Sequence, residues 1–214
     1  MWRTGQGGAQ SDSDALRWYQ TGCEAGDPIG CNNAGILLRD GQGVAQDPVA
    51  ALLLFQSACA AEYWVACEAF GRLVMPEGEA HPSFGAAKES LQRACMQGEE
   101  LLACITLAEW SQTLDEDPEA ARRFYSRACN LNDVPACVDF GRMAHSGIGG
   151  PVDQETGRLL LDMGCRRGVL TACVDLAEIY QSGAGVDVDL ATAEAFLRHA
   201  CEAGLTSACP PPTQ

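Results

Sequence analysis

The spacing of the cysteines constrains this chain more than any other feature of its sequence. Twelve cysteines occur in six pairs, and the members of a pair are eight residues apart except in the third pair, where they are nine apart. The first cysteines of successive pairs follow at intervals of 36, 36, 34, 36 and 36 residues. A fixed period of about 20 to 50 residues is typical of a solenoid, in which each repeat buries its apolar face against its neighbours. The pairs are Cys23/Cys31, Cys59/Cys67, Cys95/Cys104, Cys129/Cys137, Cys165/Cys173 and Cys201/Cys209.

An even number of paired cysteines indicates either disulfides or metal ligands, and here the spacing favours disulfides. Zinc and iron–sulfur sites usually place about two to four residues between neighbouring ligands and gather four ligands in one place. In this chain most paired cysteines have seven residues between them, and the histidines His81, His145 and His199 complete no cluster in the sequence. We therefore predict disulfides, no metal site and no cofactor.

Disulfides predict a periplasmic or secreted protein, because reducing compartments keep thiols free. Residues 1–10 lack the apolar stretch of an export signal, and no apolar run is long enough to span a membrane. We expect a mature or trimmed form from which an export signal or lipid anchor has been removed. The alternative is a cytosolic protein with free cysteines, in which twelve regularly spaced thiols have no obvious use.

The charge of the chain limits its partners. The 214 residues carry a formal net charge of −15 at pH 7. Nucleic-acid binding needs a basic face that releases counterions from phosphates, and an anionic membrane surface is disfavoured for the same reason. We expect a monomer that binds another protein or peptide of basic character, with no nucleic acid and no direct membrane insertion.

Apolar and small residues recur at helical spacing on both sides of each pair. The frame Ala15-Leu16, Tyr19, Gly22-Cys23 returns in later repeats, which indicates one face of an amphipathic helix that ends at the first cysteine, the pre-cysteine helix. A second, post-cysteine helix is predicted to begin near the second cysteine. Glycine inside a helix costs up to about 1 kcal/mol, so its recurrence at one register predicts close approach of neighbouring helices. The apolar–small pairs at this register are Ala34-Gly35, Phe70-Gly71, Leu107-Ala108, Phe140-Gly141 and Leu176-Ala177.

The turns and loops also repeat. Glycines after the first cysteine (Gly26, Gly98, Gly168 and Gly204) fit helix C-caps. The loops between hairpins contain Gly-x-Gly followed by an aspartate, and Asp47, Asp153 and Asp189 are predicted to cap the next helix. A phosphate-binding loop is the weaker interpretation, because the flanking strand and the lysine or third glycine of a nucleotide motif are absent.

Taken together, the two helices, the cysteine pairs and the Gly-x-Gly loops resemble the Sel-one-like repeat, a 36-residue relative of the tetratricopeptide repeat, from about Asp14 to Cys209. The pair spacing narrows the resemblance to the Hcp-like, cysteine-rich branch of exported bacterial proteins. Resemblance to that branch implies that each pair is a disulfide clamping an antiparallel helix hairpin. We predict an all-α fold, a right-handed αα-hairpin solenoid of 36-residue repeats with about eleven helices. Residues 1–12 are predicted to be disordered, 13–209 to form a single solenoid, and 210–214 a Pro-rich tail.

Two stretches depart from the repeat frame. Residues 75–83 replace the Gly-x-Gly loop, and residues 113–117 form a shortened loop. The shortening and the extra residue between Cys95 and Cys104 together produce the single 34-residue interval. We expect irregular geometry there; loop drift and a functional position are the two interpretations.

A search for catalytic motifs finds none. The sequence lacks Gly-x-Ser-x-Gly, His-Glu-x-x-His and Ser-x-x-Lys, and Lys88 is the only lysine. We therefore predict that the chain is not an enzyme but an interaction scaffold or inhibitor, such as the envelope assembly factors and immunity proteins that the resemblance implies. The alternative, also from the resemblance, is a β-lactam-binding or weakly β-lactamase-like protein related to the cell wall.

By resemblance to tetratricopeptide arrays, the post-cysteine helices line a concave binding face. Polar residues just after each second cysteine are free to contact a partner if the apolar–small pair packs inward; a merely solvated face is the alternative. The predicted partner-binding residues are Asn32, Asn33, Glu68, Arg72, Thr106, Glu109, Asp139, Arg142, Asp175 and Glu178.

Overall fold

The computed structural model describes residues 12–74 and 82–210, and within these ranges it is all α. It contains eleven α-helices and one 3₁₀ turn, Thr206–Ala208, which confirms the predicted fold class. The predictions for residues 1–11, most of 75–83, and 211–214 lie outside the described residues. The helices are α1 (Asp12–Glu24), α2 (Pro28–Asp40), α3 (Pro48–Ala60), α4 (Trp64–Leu73), α5 (Phe84–Met96), α6 (Leu101–Thr113), α7 (Pro118–Asn130), α8 (Val134–Ser146), α9 (Gln154–Arg166), α10 (Leu170–Ser182) and α11 (Leu190–Glu202).

The chain divides into two compact units, Met1–Cys104 and Ile105–Gln214. In the first unit α2 packs between α1 and α3, and α4 packs between α3 and α5. In the second unit α8 packs between α7 and α9, α10 packs between α9 and α11, and the 3₁₀ turn covers α11. Each unit therefore consists of helix hairpins stacked in chain order. The expectation of one uninterrupted body over 13–209 stays a prediction.

All six predicted disulfides are present, and no cysteine is free in the described part of the chain, which contains all twelve. The paired Cα atoms lie 4.4–4.8 Å apart. In the first five pairs the first cysteine lies in the last turn of a pre-cysteine helix and the second is the fourth residue of a post-cysteine helix. Each disulfide thus closes the turn of its own hairpin. The bonds are Cys23–Cys31, Cys59–Cys67, Cys95–Cys104, Cys129–Cys137, Cys165–Cys173 and Cys201–Cys209.

Most of the bonded sulfurs belong to the core. Cys67 is 0% exposed and Cys137 is 5% exposed, and the Sγ of Cys67 lies 3.8 Å from the carbonyl oxygen of Cys59 inside the hairpin turn. These disulfides therefore fill space between the two helices of a hairpin as well as linking them. The buried cysteines are Cys31, Cys59, Cys67, Cys95, Cys104, Cys137, Cys165 and Cys173, and the half-buried ones are Cys23, Cys129, Cys201 and Cys209.

Glycines on the post-cysteine helices lie directly against the next helix. A Cβ atom on Gly35 would come within 2.9 Å of the Phe55 ring, and one on Gly71 within 2.7 Å of a Leu91 methyl group. On Gly141 it would approach the Cβ of Leu160 to 3.0 Å. These distances confirm that the recurring glycines allow close helix packing.

A left-handed backbone position recurs in the turn of each hairpin. Gly26, Gly168 and Gly204 occupy it with φ of 89°, 91° and 106°, and Glu62 and Asn132 occupy it in two other turns. The prediction of Gly98 as the C-cap of α5 is wrong: the positive φ falls on Glu99, because the extra residue of this turn shifts the position by one. Gly98 instead lies against the Trp64 indole, which a Cβ would approach to 2.5 Å.

The loops between hairpins have the predicted caps. The side chain of Asp47 accepts a hydrogen bond from the Ala50 N–H, and Asp153 and Asp189 accept from Thr156 and Thr192. The second glycine of each Gly-x-Gly loop lies against the start of the pre-cysteine helix of the hairpin that the loop follows: Gly43 on Asp12, Gly149 on Pro118 and Gly185 on Gln154. Among the described helices, none is both long and apolar enough to cross a membrane.

Candidate functional site

All ten predicted partner-binding residues lie on post-cysteine helices, but their exposure differs. Asn32 is only 5% exposed, so its prediction as a contact residue is corrected: it packs into the hairpin and has little surface to offer a partner. Arg72, Glu109 and Glu178 are exposed, and the remaining six are half-buried: Asn33, Glu68, Thr106, Asp139, Arg142 and Asp175.

The second cysteines next to these residues offer no surface for binding or chemistry. Cys67 and Cys137 were predicted as disulfide residues and are disulfide-bonded, but both side chains are buried, unlike the polar residues that follow them on α4 and α8. The physical reason is their register, since the fourth residue of each of these helices faces the pre-cysteine helix of its own hairpin. Cys67 and Cys137 are therefore structural residues and no part of an accessible site.

In the first unit the predicted residues form a short-range ion pair. Glu68 and Arg72 lie one turn apart on α4, with Oε1 and Nε separated by 2.6 Å. Arg72 is exposed, so this pair contributes at most about 1 kcal/mol to stability. It connects no two hairpins.

In the second unit the predicted residues converge on Arg142. Its guanidinium donates from Nε to Asp175 Oδ2 at 2.7 Å, from NH1 to Asp139 Oδ1 at 2.8 Å, and from NH2 to Thr171 Oγ1 at 3.0 Å. Asp175 and Thr171 belong to α10, whereas Arg142 and Asp139 belong to α8. A planar guanidinium with several fixed donors is suited to such a bridge between two hairpins.

Burial and neighbouring charges shift the pKa values of three side chains in and beside this cluster. Burial disfavours the Arg142 cation, but the hydrogen bonds and charges of Asp175 and Asp139 outweigh it and raise the pKa of Arg142. Burial raises the pKa of Asp139, which Arg142 partly opposes. Burial also raises the pKa of Tyr125 to about 12, with the charges of Asp139 and Glu109 adding to the shift. The cluster is therefore a partly desolvated group with more carboxylates than cations.

A surface pocket of about 350 Å³ lies beside the cluster. Arg142, Asp175 and Glu178 supply its charged wall, His145 and Ser182 add polar groups, and Ala184 adds an apolar one. The pocket can take a polar or cationic side chain that has an apolar stem.

Sequence reasoning missed Thr171, His145 and Ser182 in this site. The signal for Thr171 was available: it stands two residues before its second cysteine, where the other four post-cysteine helices have Ile29, Val65, Leu102 and Pro135. A polar residue at an otherwise apolar register marked a special contact. His145 and Ser182 lie in the last turns of α8 and α10, where the sequence pattern gives no direction to their side chains.

A second cluster lies elsewhere in this unit. The Sγ atoms of Cys165 and Cys173 and a ring nitrogen of His199 all lie within 4.8 Å of one another. The interpretation that no histidine joins a cysteine cluster is therefore wrong for His199. It is wrong because His199 contacts the disulfide of the preceding hairpin rather than its own.

Comparison with known proteins identifies one family and several solved structures of similar fold. The Sel1 repeat model matches residues 3–27, 28–63, 103–133, 134–169 and 170–205, and leaves out 64–102, which contains the irregular stretch 75–83. No curated protein matches the sequence significantly.

Among solved structures, a protective antigen of uropathogenic Escherichia coli with an SLR fold matches at a TM-score of 0.81 and 22% identity. The match covers 97% of this chain but 45% of the antigen, so the chain spans less than half of that protein. A Sel1 repeat protein from Oxalobacter formigenes matches at 0.64 and 20% identity, over 100% of this chain and 83% of that one. Helicobacter pylori cysteine-rich protein B matches at 0.45 and 22% identity, over 63% and 98%. At these identities the first two matches show the fold.

Proposed function

The chain belongs to the Sel1 repeat family, and on that basis we propose that it is a non-enzymatic interaction module, exported from a bacterium, that binds a partner protein or peptide through its post-cysteine helices. The family consists generally of non-catalytic repeat scaffolds. A scaffold that assembles envelope proteins and an inhibitor of a toxin are both versions of this role.

The observation that carries the proposal is the Arg142 cluster with its adjoining pocket. Arg142 is held by three partners from two hairpins, so its position is fixed before any partner arrives. Preorganised groups lose less entropy on binding than mobile ones, which is what a recognition site needs. The exposed Glu178 beside it remains available to a partner.

Charge supports a partner of basic character. The pocket wall has two carboxylates, Asp175 and Glu178, against the one guanidinium of Arg142, and the chain as a whole carries −15. Complementary charge steers association and suppresses partners of like charge. A lysine or arginine side chain fits this charge, and its apolar stem can lie against Ala184.

Export is supported by the disulfides. Six of them, one in each hairpin turn, fit an extracellular or periplasmic protein, because reducing compartments do not maintain such bonds.

The experiment is a charge-reversal capture. The oxidised protein, immobilised by a tag, is exposed to periplasmic and secreted extracts of its source bacterium. Glu109→Lys/Glu178→Lys alters the exposed face of two post-cysteine helices, and Glu194→Lys/Glu202→Lys makes the same change in net charge on the pre-cysteine helix α11. We expect the wild type and the α11 variant to capture the same partner protein in similar amounts. The Glu109→Lys/Glu178→Lys variant should capture at least tenfold less of it. Equal capture by both variants, or no specific capture by the wild type, would contradict the proposal.

A further inference from the structure

The disulfide Cys165–Cys173 has an exposed histidine against it. His199 lies on α11, one hairpin further along the chain, and its ring nitrogen and the two Sγ atoms all lie within 4.8 Å of one another. Among the described residues, this is the one group of three or more His, Cys, Asp or Glu side chains with ligand atoms so close together. No hydrogen bond or ion pair involves the His199 ring within the same residues.

The position of His199 follows from the repeat. It stands two residues before the first cysteine of its own hairpin, and in the first unit the equivalent residue, Ser57, also lies on the preceding disulfide, with its Oγ 3.9 Å from Cys31 Sγ. The fold therefore brings this register position to a disulfide, and the sequence decides which group is presented. In the five hairpins that follow another cysteine pair, the residues at this register are Ser57, Arg93, Arg127, Met163 and His199.

A pocket of about 270 Å³ opens beside the disulfide. Cys165, Thr192, Phe196 and His199 line it, together with Arg166 and Ala195. Arg166 is engaged by Asp162, with NH2 and Oδ2 2.9 Å apart, so its charge is partly neutralised. The pocket gives a small reductant or ion access to the edge of an otherwise buried pair.

We propose that Cys165, Cys173 and His199 bind one Zn²⁺ ion when the disulfide between the two cysteines is reduced. A dithiol reductant supplies two electrons and two protons, is itself oxidised to a disulfide, and leaves two thiols. Zinc binding then releases both thiol protons, so that two thiolates and one neutral imidazole hold the ion. Zinc accepts this combination of sulfur and nitrogen ligands.

The geometry requires only small movements. Around a tetrahedral zinc with Zn–S of about 2.3 Å and Zn–N of about 2.0 Å, the ligand atoms are roughly 3.5–3.8 Å apart. The imidazole is already within reach, and the two sulfurs must separate by rotation of their side chains. The adjoining pocket of about 270 Å³ has room for a water molecule as the fourth ligand. This site goes beyond the proposed interaction role and does not depend on it.

The test uses the whole oxidised chain treated with substoichiometric tris(carboxyethyl)phosphine, with and without Zn²⁺. In that reaction the phosphine becomes its oxide with oxygen from water, and the disulfide becomes two thiols. Alkylation and peptide mapping identify the opened disulfide, native mass spectrometry counts bound zinc, and circular dichroism checks the helices. We expect chains opened at Cys165–Cys173 to retain one zinc each, and both cysteines to be alkylated at least tenfold more slowly in the presence of zinc.

The matched control is His199→Arg, which introduces the residue that the chain itself has at this register in Arg93 and Arg127. It keeps both cysteines and removes the nitrogen ligand. We expect its zinc affinity to fall at least about 100-fold, because loss of an outer-shell partner alone costs about 10–100-fold. The proposal is wrong if the wild type and His199→Arg retain equal amounts of zinc. It is also wrong if wild-type chains opened at Cys165–Cys173 retain no zinc.

Discussion

At the scale of single residues, the turn of each hairpin depends on one left-handed position. Glycine adopts it without cost, but a side chain there meets its own carbonyl oxygen, at a cost of about 1–2 kcal/mol. Glu62 adopts it with φ of 61° and Asn132 with φ of 69°. The chain tolerates this strain because a disulfide closes the same turn in both hairpins, through Cys67 in one and Cys137 in the other.

Glu62→Gly should therefore stabilise the protein. Relief of the left-handed strain exceeds the extra entropy of glycine in the unfolded chain, so we expect the free energy of unfolding to rise by about 0.5–1 kcal/mol. Asn132→Gly is the matched control, and its gain should be smaller because asparagine tolerates this conformation better. Urea denaturation of the oxidised proteins measures both; a gain for Asn132→Gly as large as that for Glu62→Gly would refute the explanation.

The buried hydroxyl of Tyr125 should make the folded protein less stable at alkaline pH. Its hydroxyl donates to Gln112 Oε1 at 3.1 Å, and burial raises its pKa to about 12 from an ordinary value of 10.0. Between these two values the unfolded chain loses the phenolic proton while the folded chain keeps it, so stability falls as the pH rises. Tyr125→Phe should remove this contribution. The stability difference between wild type and variant should shrink from pH 10 to 12, whereas a constant difference would show that Tyr125 is not the cause.

At the scale of secondary-structure elements, the Gly-x-Gly loops connect neighbouring hairpins. Gly149 has φ of 69° and lies on the backbone of Pro118 at the start of α7, a contact that leaves no room for a Cβ. Gly168, in a hairpin turn, has φ of 91° and open space around it. The two glycines have the same backbone requirement and different surroundings.

Replacing Gly149 and Gly168 by alanine separates backbone strain from close packing against α7. Gly168→Ala should cost about 1 kcal/mol from backbone strain alone. Gly149→Ala should cost about 2–4 kcal/mol, because overpacking against α7 adds to the strain. Chemical denaturation gives both numbers, and equal losses would mean that the loop contact on α7 adds nothing to stability.

At the scale of the whole molecule, the disulfides are local. Each closes a loop between cysteines eight or nine residues apart, and a loop of about nine residues contributes roughly 2.5 kcal/mol by restricting the unfolded state. None joins one hairpin to another. Contacts between hairpins are therefore made by packing, such as that of Gly35 on Phe55, and by polar bridges such as the one from Arg142 to Asp175.

Thiol titration tests this arrangement directly. We expect no reactive thiol in the denatured, unreduced protein and twelve after reduction. Removal of a single disulfide in Cys129→Ala/Cys137→Ala should lower the free energy of unfolding by about 2–3 kcal/mol. Twelve reactive thiols before reduction would contradict both the disulfides and the proposed export.

The sequence was most informative where one rule applies to every repeat. The caps at Asp47 and Asp189 and the packing of Gly35 follow from local pattern and could be predicted. Gly98 could not, because a one-residue insertion moves the left-handed position to Glu99. His199 could not either, because its contact depends on how far one hairpin is offset from the next, and spacing within a hairpin does not give that offset.

The disulfide at each turn also limits how the protein responds to mechanical tension. In the oxidised chain, force passes from Cys31 to Cys59, which are 28 residues apart, and the seven residues between Cys23 and Cys31 are bypassed. A repeat pulled apart at its ends can then reach a length of at most about 100 Å, at roughly 3.6 Å per residue. Reduction releases the loop and extends the limit to about 130 Å for a 36-residue repeat. Single-molecule stretching should show this difference as a longer unfolding step per repeat in the reduced protein than in the oxidised protein.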